Sequence, residues 1–119
     1  MNSDNILEVK SYAFALRIVK LSRYLQDEQK ETILSKQILR SGTAVGALIS
    51  ESVYAQSKPD FISKLHIAIK EANETQYWLN LLKDSDYITV KMFESIEPDI
   101  IELLKLLTTS LKTAKENNV

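Results

Sequence analysis

Gln37-Ile38-Leu39-Arg40-Ser41-Gly42-Thr43-Ala44-Val45-Gly46-Ala47-Leu48-Ile49-Ser50 holds both glycines of a 119-residue chain, one helical turn apart. In a helix interior each glycine costs roughly 1 kcal/mol against alanine, so the pair needs a structural reason. Apolar residues keep helical spacing through the region, which predicts an unbroken helix. Gly42, Gly46 and Ser50 then form a small-residue seam that lets a neighbouring helix come close. Ser41, Ala44 and Ala47 add small side chains around it. The competing reading is a turn at Arg40–Thr43 joining two shorter helices.

Working outward, the apolar period predicts four helices over about 5–25, 34–55, 58–83 and 89–117. Asn5 with Glu8 three residues on has the spacing of a capping box for the first. That helix carries two apolar stripes, Phe14, Ile18, Leu21 and Leu25, and the offset Ile6, Val9, Ala13 and Leu16, a wider face than one packing seam uses. In the second helix the core seam is Ile38, Val45, Ile49 and Ser52. Ser57, Pro59 and Asp60 open the third helix as cap, first-turn proline and acid at the positive helix end. Its seam is Phe61, Leu65, Ala68, Ala72, Thr75, Leu79 and Leu82, the four-three spacing of antiparallel bundle packing. The fourth helix has one seam through Phe93, Ile96, Ile100, Leu103, Leu107 and Ala114, and a second through Ile101, Leu104 and Leu111. Pro98 removes a backbone donor inside it, so a kink is expected there, or else a break into two helices. Similar lengths and short connections predict a single all-α domain, an antiparallel up-down-up-down four-helix bundle. The surplus apolar surface predicts self-association.

Composition narrows the function classes. Fifteen Lys and Arg against sixteen Asp and Glu leave no global field to draw in nucleic acid or anionic lipid. Such binding would have to come from a local patch, or from repetition of that patch in an oligomer. The absence of cysteine excludes disulfides, thiolate metal sites and a cysteine nucleophile. No basic segment followed by an apolar run opens the chain, and the longest apolar-and-small run, Gly42 to Ile49, is too short for a bilayer. Cytoplasmic residence without membrane partners is the expectation.

Several segments together resemble a known family. The residues are Gln37 to Ala47 leading to Ile49-Ser50-Glu51-Ser52, then Ala55-Gln56-Ser57-Lys58-Pro59-Asp60-Phe61 and Lys64-Leu65. Ala68 to Thr75 and Tyr77-Trp78-Leu79 follow, flanked by Ser11 to Ala15 and Ile18 to Leu21 in the first helix, and by Phe93-Glu94-Ser95 and Leu106-Leu107-Thr108 in the fourth. In order and spacing they resemble the bacterial four-helix bundle proteins encoded in intervening sequences of large-subunit ribosomal RNA genes, a superfamily that includes the accessory protein of diversity-generating retroelements. The resemblance covers essentially the whole chain. It implies a homopentameric barrel and, in the retroelement branch, binding to nucleic acid and to a reverse transcriptase through a basic surface. The slightly acidic balance here departs from that pattern.

Candidate site residues fall into groups. Lys10, Arg17 and Lys20 share much of one face of the first helix, and Lys36 and Arg40 are one turn apart on the second. Repeated around a ring, they form a candidate nucleic-acid surface acting by counterion release; the competing reading is a solvated face with ion pairs. Glu51 is expected in a structural ion pair with Arg40 or Arg17. Ile67, Trp78 and Leu81 lie off the main seam of the third helix and are a candidate oligomer interface, with local packing the equal alternative. The single histidine, His66, shares a polar row with Asn73 and Asn80 and is expected to be hydrogen-bonded, not a metal ligand. Legible enzyme motifs are absent: there is no phosphate-cradling glycine loop and no Glu-x-x-His pair for a di-metal site. A helical ribonuclease would need an arginine shortly before His66, and the nearest preceding one is Arg40. The chain is therefore expected to be a non-enzymatic, cofactor-free scaffold or adaptor whose partners are itself and RNA or DNA. The alternative is a protein-only module that docks a partner such as a reverse transcriptase on a helical groove.

Overall fold

Four α-helices account for nearly all of residues 3–116, the part described by the computed structural model, with side chains described from Ile6 onward. They are α1 (Ser3–Asp27), α2 (Leu34–Val53), α3 (Lys58–Asp84) and α4 (Val90–Glu116). The expected Asn5 cap and the end of the last helix near Asn117 lie outside the described side chains and residues. α2 runs unbroken through Gly42 and Gly46, so the turn reading fails. α4 likewise continues through Pro98, which excludes the break into two helices.

Each helix packs on its sequence neighbours, α4 closes back on α1, and among the described residues the diagonal pairs bring no Cα atoms within 8 Å of each other. Antiparallel registers follow from the contacts. Gly42 lies against Ile18 and Gly46 against Ser11 between α1 and α2. Ser41 meets Thr75, and Arg40 meets Glu74, between α2 and α3. Arg17 meets Asp99, and Lys10 meets Glu102, between α1 and α4. The product is a rod 51 Å long and 22 Å across. Its core is mostly the expected seams: Phe14, Ile18 and Leu25; Ile38, Val45 and Ile49; Leu65, Ala68, Ala72, Leu79 and Leu82; and Phe93, Ile96, Ile100, Leu103 and Leu107 are buried, while Phe61 and Ala114 are half-buried and Leu7 joins the core.

Local chemistry explains the ends. Ser57 Oγ accepts the Asp60 N–H at 3.2 Å, and the Asp60 carboxylate in turn accepts the Gln56 N–H, a reciprocal cap with Pro59 in the first turn. The start of α2 is capped differently. Glu31, nearly buried, accepts the backbone N–H groups of Ile33, Leu34 and Ser35 at 3.2, 3.0 and 2.8 Å. It satisfies the free donors of the first turn and opposes the positive end of the helix dipole.

Candidate functional site

The two glycines fix how α1 meets α2. A Cβ at Gly42 would stand 2.8 Å from Ile18 Cγ1, and Ile18 is wholly buried. At Gly46 it would meet the Ser11 carbonyl oxygen at 3.3 Å. The helices are therefore in near-backbone contact, as the small seam predicts. Ser50 differs: it is exposed, and with Tyr12, Ala15, Thr43 and Ala47 it lines an open groove of about 440 Å³ on the outside of the α1–α2 pair.

Beside that groove the second stripe of α1 points away from the core. Ile6, Val9, Tyr12 and Leu16 are 46%, 61%, 67% and 49% exposed. Helical spacing puts Val9, Ala13 and Leu16 on the outermost line of α1, followed one turn later by Lys20. An apolar line there contributes nothing to the fold of one chain. The second seam of α4 behaves otherwise: Leu111 is buried, and Ile101 and Leu104 are half-buried.

Of the candidate cations, Lys10 pairs with Glu102 at 3.3 Å, Arg17 with Asp99 at 2.8 Å and Arg40 with Glu74 at 3.6 Å. Arg17 also donates to the Ser95 carbonyl and to Ser95 Oγ. Lys20 and Lys36 are exposed, with no ion pair among the described residues. The antiparallel register is what supplies acids from α3 and α4 to three of the five cations. It also redirects Glu51, which pairs with Lys64 of α3 at 3.3 Å and not with Arg40 or Arg17. Residue 51 lies opposite 64 across α2 and α3, while Arg40 lies opposite Glu74, so the expected partner is out of reach.

On α3, Ile67 is 40% exposed and Tyr77 60%. Trp78 is half-buried against the core, its indole N–H donating to Glu74 at 3.2 Å and its ring edge-on to Tyr77 at 5.1 Å. Leu81 is half-buried too, so this group divides between local packing and open surface. His66 and Asn73 are exposed, and Asn80 donates to the Gln76 carbonyl.

Three features escape sequence reasoning. The Glu31 cap does so because a glutamate three residues before a helix is not a usual capping signal. Glu71 is the second: it is buried on α3, and its Oε1 has no hydrogen-bond partner. The third is a cleft of about 310 Å³ between α1 and α4, lined by Leu21, Ile88, Met92 and Ile96 with Arg17, Lys91 and Ser95. It joins residues distant in sequence, and no motif announces it. Among the described residues no helix is long and apolar enough to cross a membrane.

Comparison with known proteins agrees with the fold. Residues 3–109 match the family model described as 23S rRNA-intervening sequence protein. Among solved structures, a protein of unknown function from the S23 ribosomal protein family of Bacteroides thetaiotaomicron is similar, with 55% sequence identity and a TM-score of 0.92. The match covers 93% of this chain and 99% of that one. Comparison with curated proteins finds no match.

Proposed function

The chain belongs to the 23S rRNA-intervening sequence protein family, and from that premise we propose that it is a non-enzymatic, self-associating helical scaffold of the cytoplasm. The observation that carries this reading is the outward apolar line of α1. Val9 and Leu16 are 61% and 49% exposed in a protomer whose core is already closed by other residues. A second copy covering that line, with Tyr12 and the neighbouring small-residue groove, removes it from water. Where that line meets a different face of the next copy, the copies close into a ring, and five is the number that the family resemblance implies.

The assembled ring repeats weak sites. Lys20 adjoins the apolar line and Lys36 lies on α2, and each recurs in every copy. Contacts too weak singly become effective when arrayed, so a structured RNA or a DNA duplex is the proposed ligand of the ring. The pairing of Lys10, Arg17 and Arg40 with acids favours the second reading, in which the groove takes a protein partner such as a nucleic-acid-processing enzyme.

Light scattering coupled to gel filtration tests the scaffold. The wild-type chain elutes as a discrete oligomer, while the double variant Val9→Glu/Leu16→Glu elutes as a helical monomer; a monomeric wild type overturns the reading. Mobility-shift titration of the oligomer across a salt series separates the ligands. Retardation of RNA or DNA that weakens with salt supports nucleic acid, and no retardation at low salt leaves the protein-partner reading.

A further inference from the structure

We propose that the cleft between α1 and α4 is a binding site for a medium-chain fatty carboxylate, its tail in the cleft and its headgroup at the mouth. This stands apart from the scaffold reading, because the cleft opens on the α1–α4 seam and not on the outer line of α1. Its volume of about 310 Å³ is at the small end of ligand pockets, which run roughly 300–1,000 Å³ and combine apolar walls with a few placed polar groups. Leu21, Ile88, Met92 and Ile96 supply the walls, and the polar side chains at the cleft are Arg17, Lys91 and Ser95.

The headgroup site rests on one hydroxyl. Ser95 Oγ accepts a hydrogen bond from Arg17 Nη2 at 2.8 Å. Arg17 is itself held by the Asp99 carboxylate at 2.8 Å and by the Ser95 carbonyl at 2.9 Å. A hydroxyl that accepts from a guanidinium keeps its own proton, made more acidic, for a further acceptor. Some helix hydroxyls use such protons locally, whereas others, the buried Ser35 Oγ among them, have no partner among the described residues. The hydroxyls of Ser11, Ser52, Thr43 and Thr75 each donate to a carbonyl of the preceding turn. Ser95 Oγ has no such acceptor among the described residues. Lys91, one turn earlier on α4, is exposed and without an ion pair among the described residues, and i,i+4 spacing puts its ammonium on the Ser95 side of the helix. An anion at the mouth thus receives a free O–H and an ammonium. An alcohol of the same length gains no charge interaction, and a short carboxylate leaves the apolar walls wet.

Isothermal calorimetry on the full chain, with hexanoate, octanoate and octanol below their aggregation concentrations, tests this. The expected result is one octanoate per chain, roughly fifteenfold tighter than hexanoate for two more buried methylenes, with octanol about tenfold weaker than octanoate. Ser95→Ala weakens octanoate severalfold and octanol less, because the alcohol oxygen accepts the same O–H without the charge. Met92→Trp, which fills the cleft from a half-buried position, abolishes binding while circular dichroism stays helical. Three results overturn the proposal: no saturable heat at millimolar octanoate, equal affinity for octanol and octanoate, or Ser95→Ala binding octanoate as well as the wild type does. A second copy or a segment of another protein filling the cleft shows as the first of these.

Discussion

Gly42 and Gly46 look equivalent in the chain and are not equivalent in space. At Gly42 an added methyl meets the branched, wholly buried Ile18 at 2.8 Å, and Ile18 has nowhere to move. Overpacking of this kind costs about 1–3 kcal/mol, against about 1 kcal/mol of helix propensity gained. Gly42→Ala is therefore expected to destabilise by up to about 2 kcal/mol net, and thermal unfolding reads it as a fall of up to roughly 8 °C. At Gly46 the contact is a carbonyl at 3.3 Å, relieved by a shift of tenths of an ångström. Gly46→Ala is expected near neutral, and a larger loss there than at Gly42 would contradict this account of the seam. Glu71 presents the opposite case, a cost already present in the native chain. Its buried Oε1 lacks a partner, and an unmet buried acceptor costs about 1–3 kcal/mol. Glu71→Met, similar in length and without the carboxylate, is expected to raise the urea midpoint at pH 7, with stability increased by about 1 kcal/mol.

Between elements, the seams differ in kind. α1 meets α2 through near-backbone contact at the glycines, and α2 meets α3 through the buried Thr75–Ser41 hydrogen bond at 2.9 Å. The α1–α4 seam relies more on side-chain bridges at its edge, Lys10–Glu102 and Arg17 with Asp99 and Ser95, over a cleft. Half-exposed ion pairs are worth about 0–1 kcal/mol each and weaken with salt. Arg17→Ala is expected to cost about 1 kcal/mol and to speed amide exchange in the first half of α4 before that of α2 or α3. Uniform acceleration across all four helices would show that Arg17 supports the whole bundle. Helix existence and most helix boundaries were legible because apolar spacing and caps are local signals. Pro98 was legible as a perturbation, but the sequence left open whether the helix continues, since neighbours can hold a helix together across a missing donor.

At the scale of the molecule, the proposed covering of the leftover apolar line of α1 by other copies predicts that stability depends on concentration. If copies cover Ile6, Val9 and Leu16, the wild-type melting temperature rises with protein concentration, and that of Val9→Glu/Leu16→Glu does not. A melting temperature independent of concentration in both would remove self-association from the energetics. The surplus face was readable beforehand, because a stripe offset from the core seam on a regular helix has to point outward. The state of the charges was not. Lys10, Arg17 and Arg40 read either as a basic surface or as a solvated face with ion pairs, and the antiparallel register decides for ion pairs, with Glu102, Asp99 and Glu74 as the partners. The sequence by itself determined the four helices, their core faces, the close approach at Gly42 and the family, since all of these are carried by residues near one another in the chain. Only the tertiary structure decided Glu51's partner, the neutralised cations, the isolation of Glu71 and the Ser95 cleft. Those depend on which residue of one helix stands opposite which residue of another, and no local periodicity encodes that.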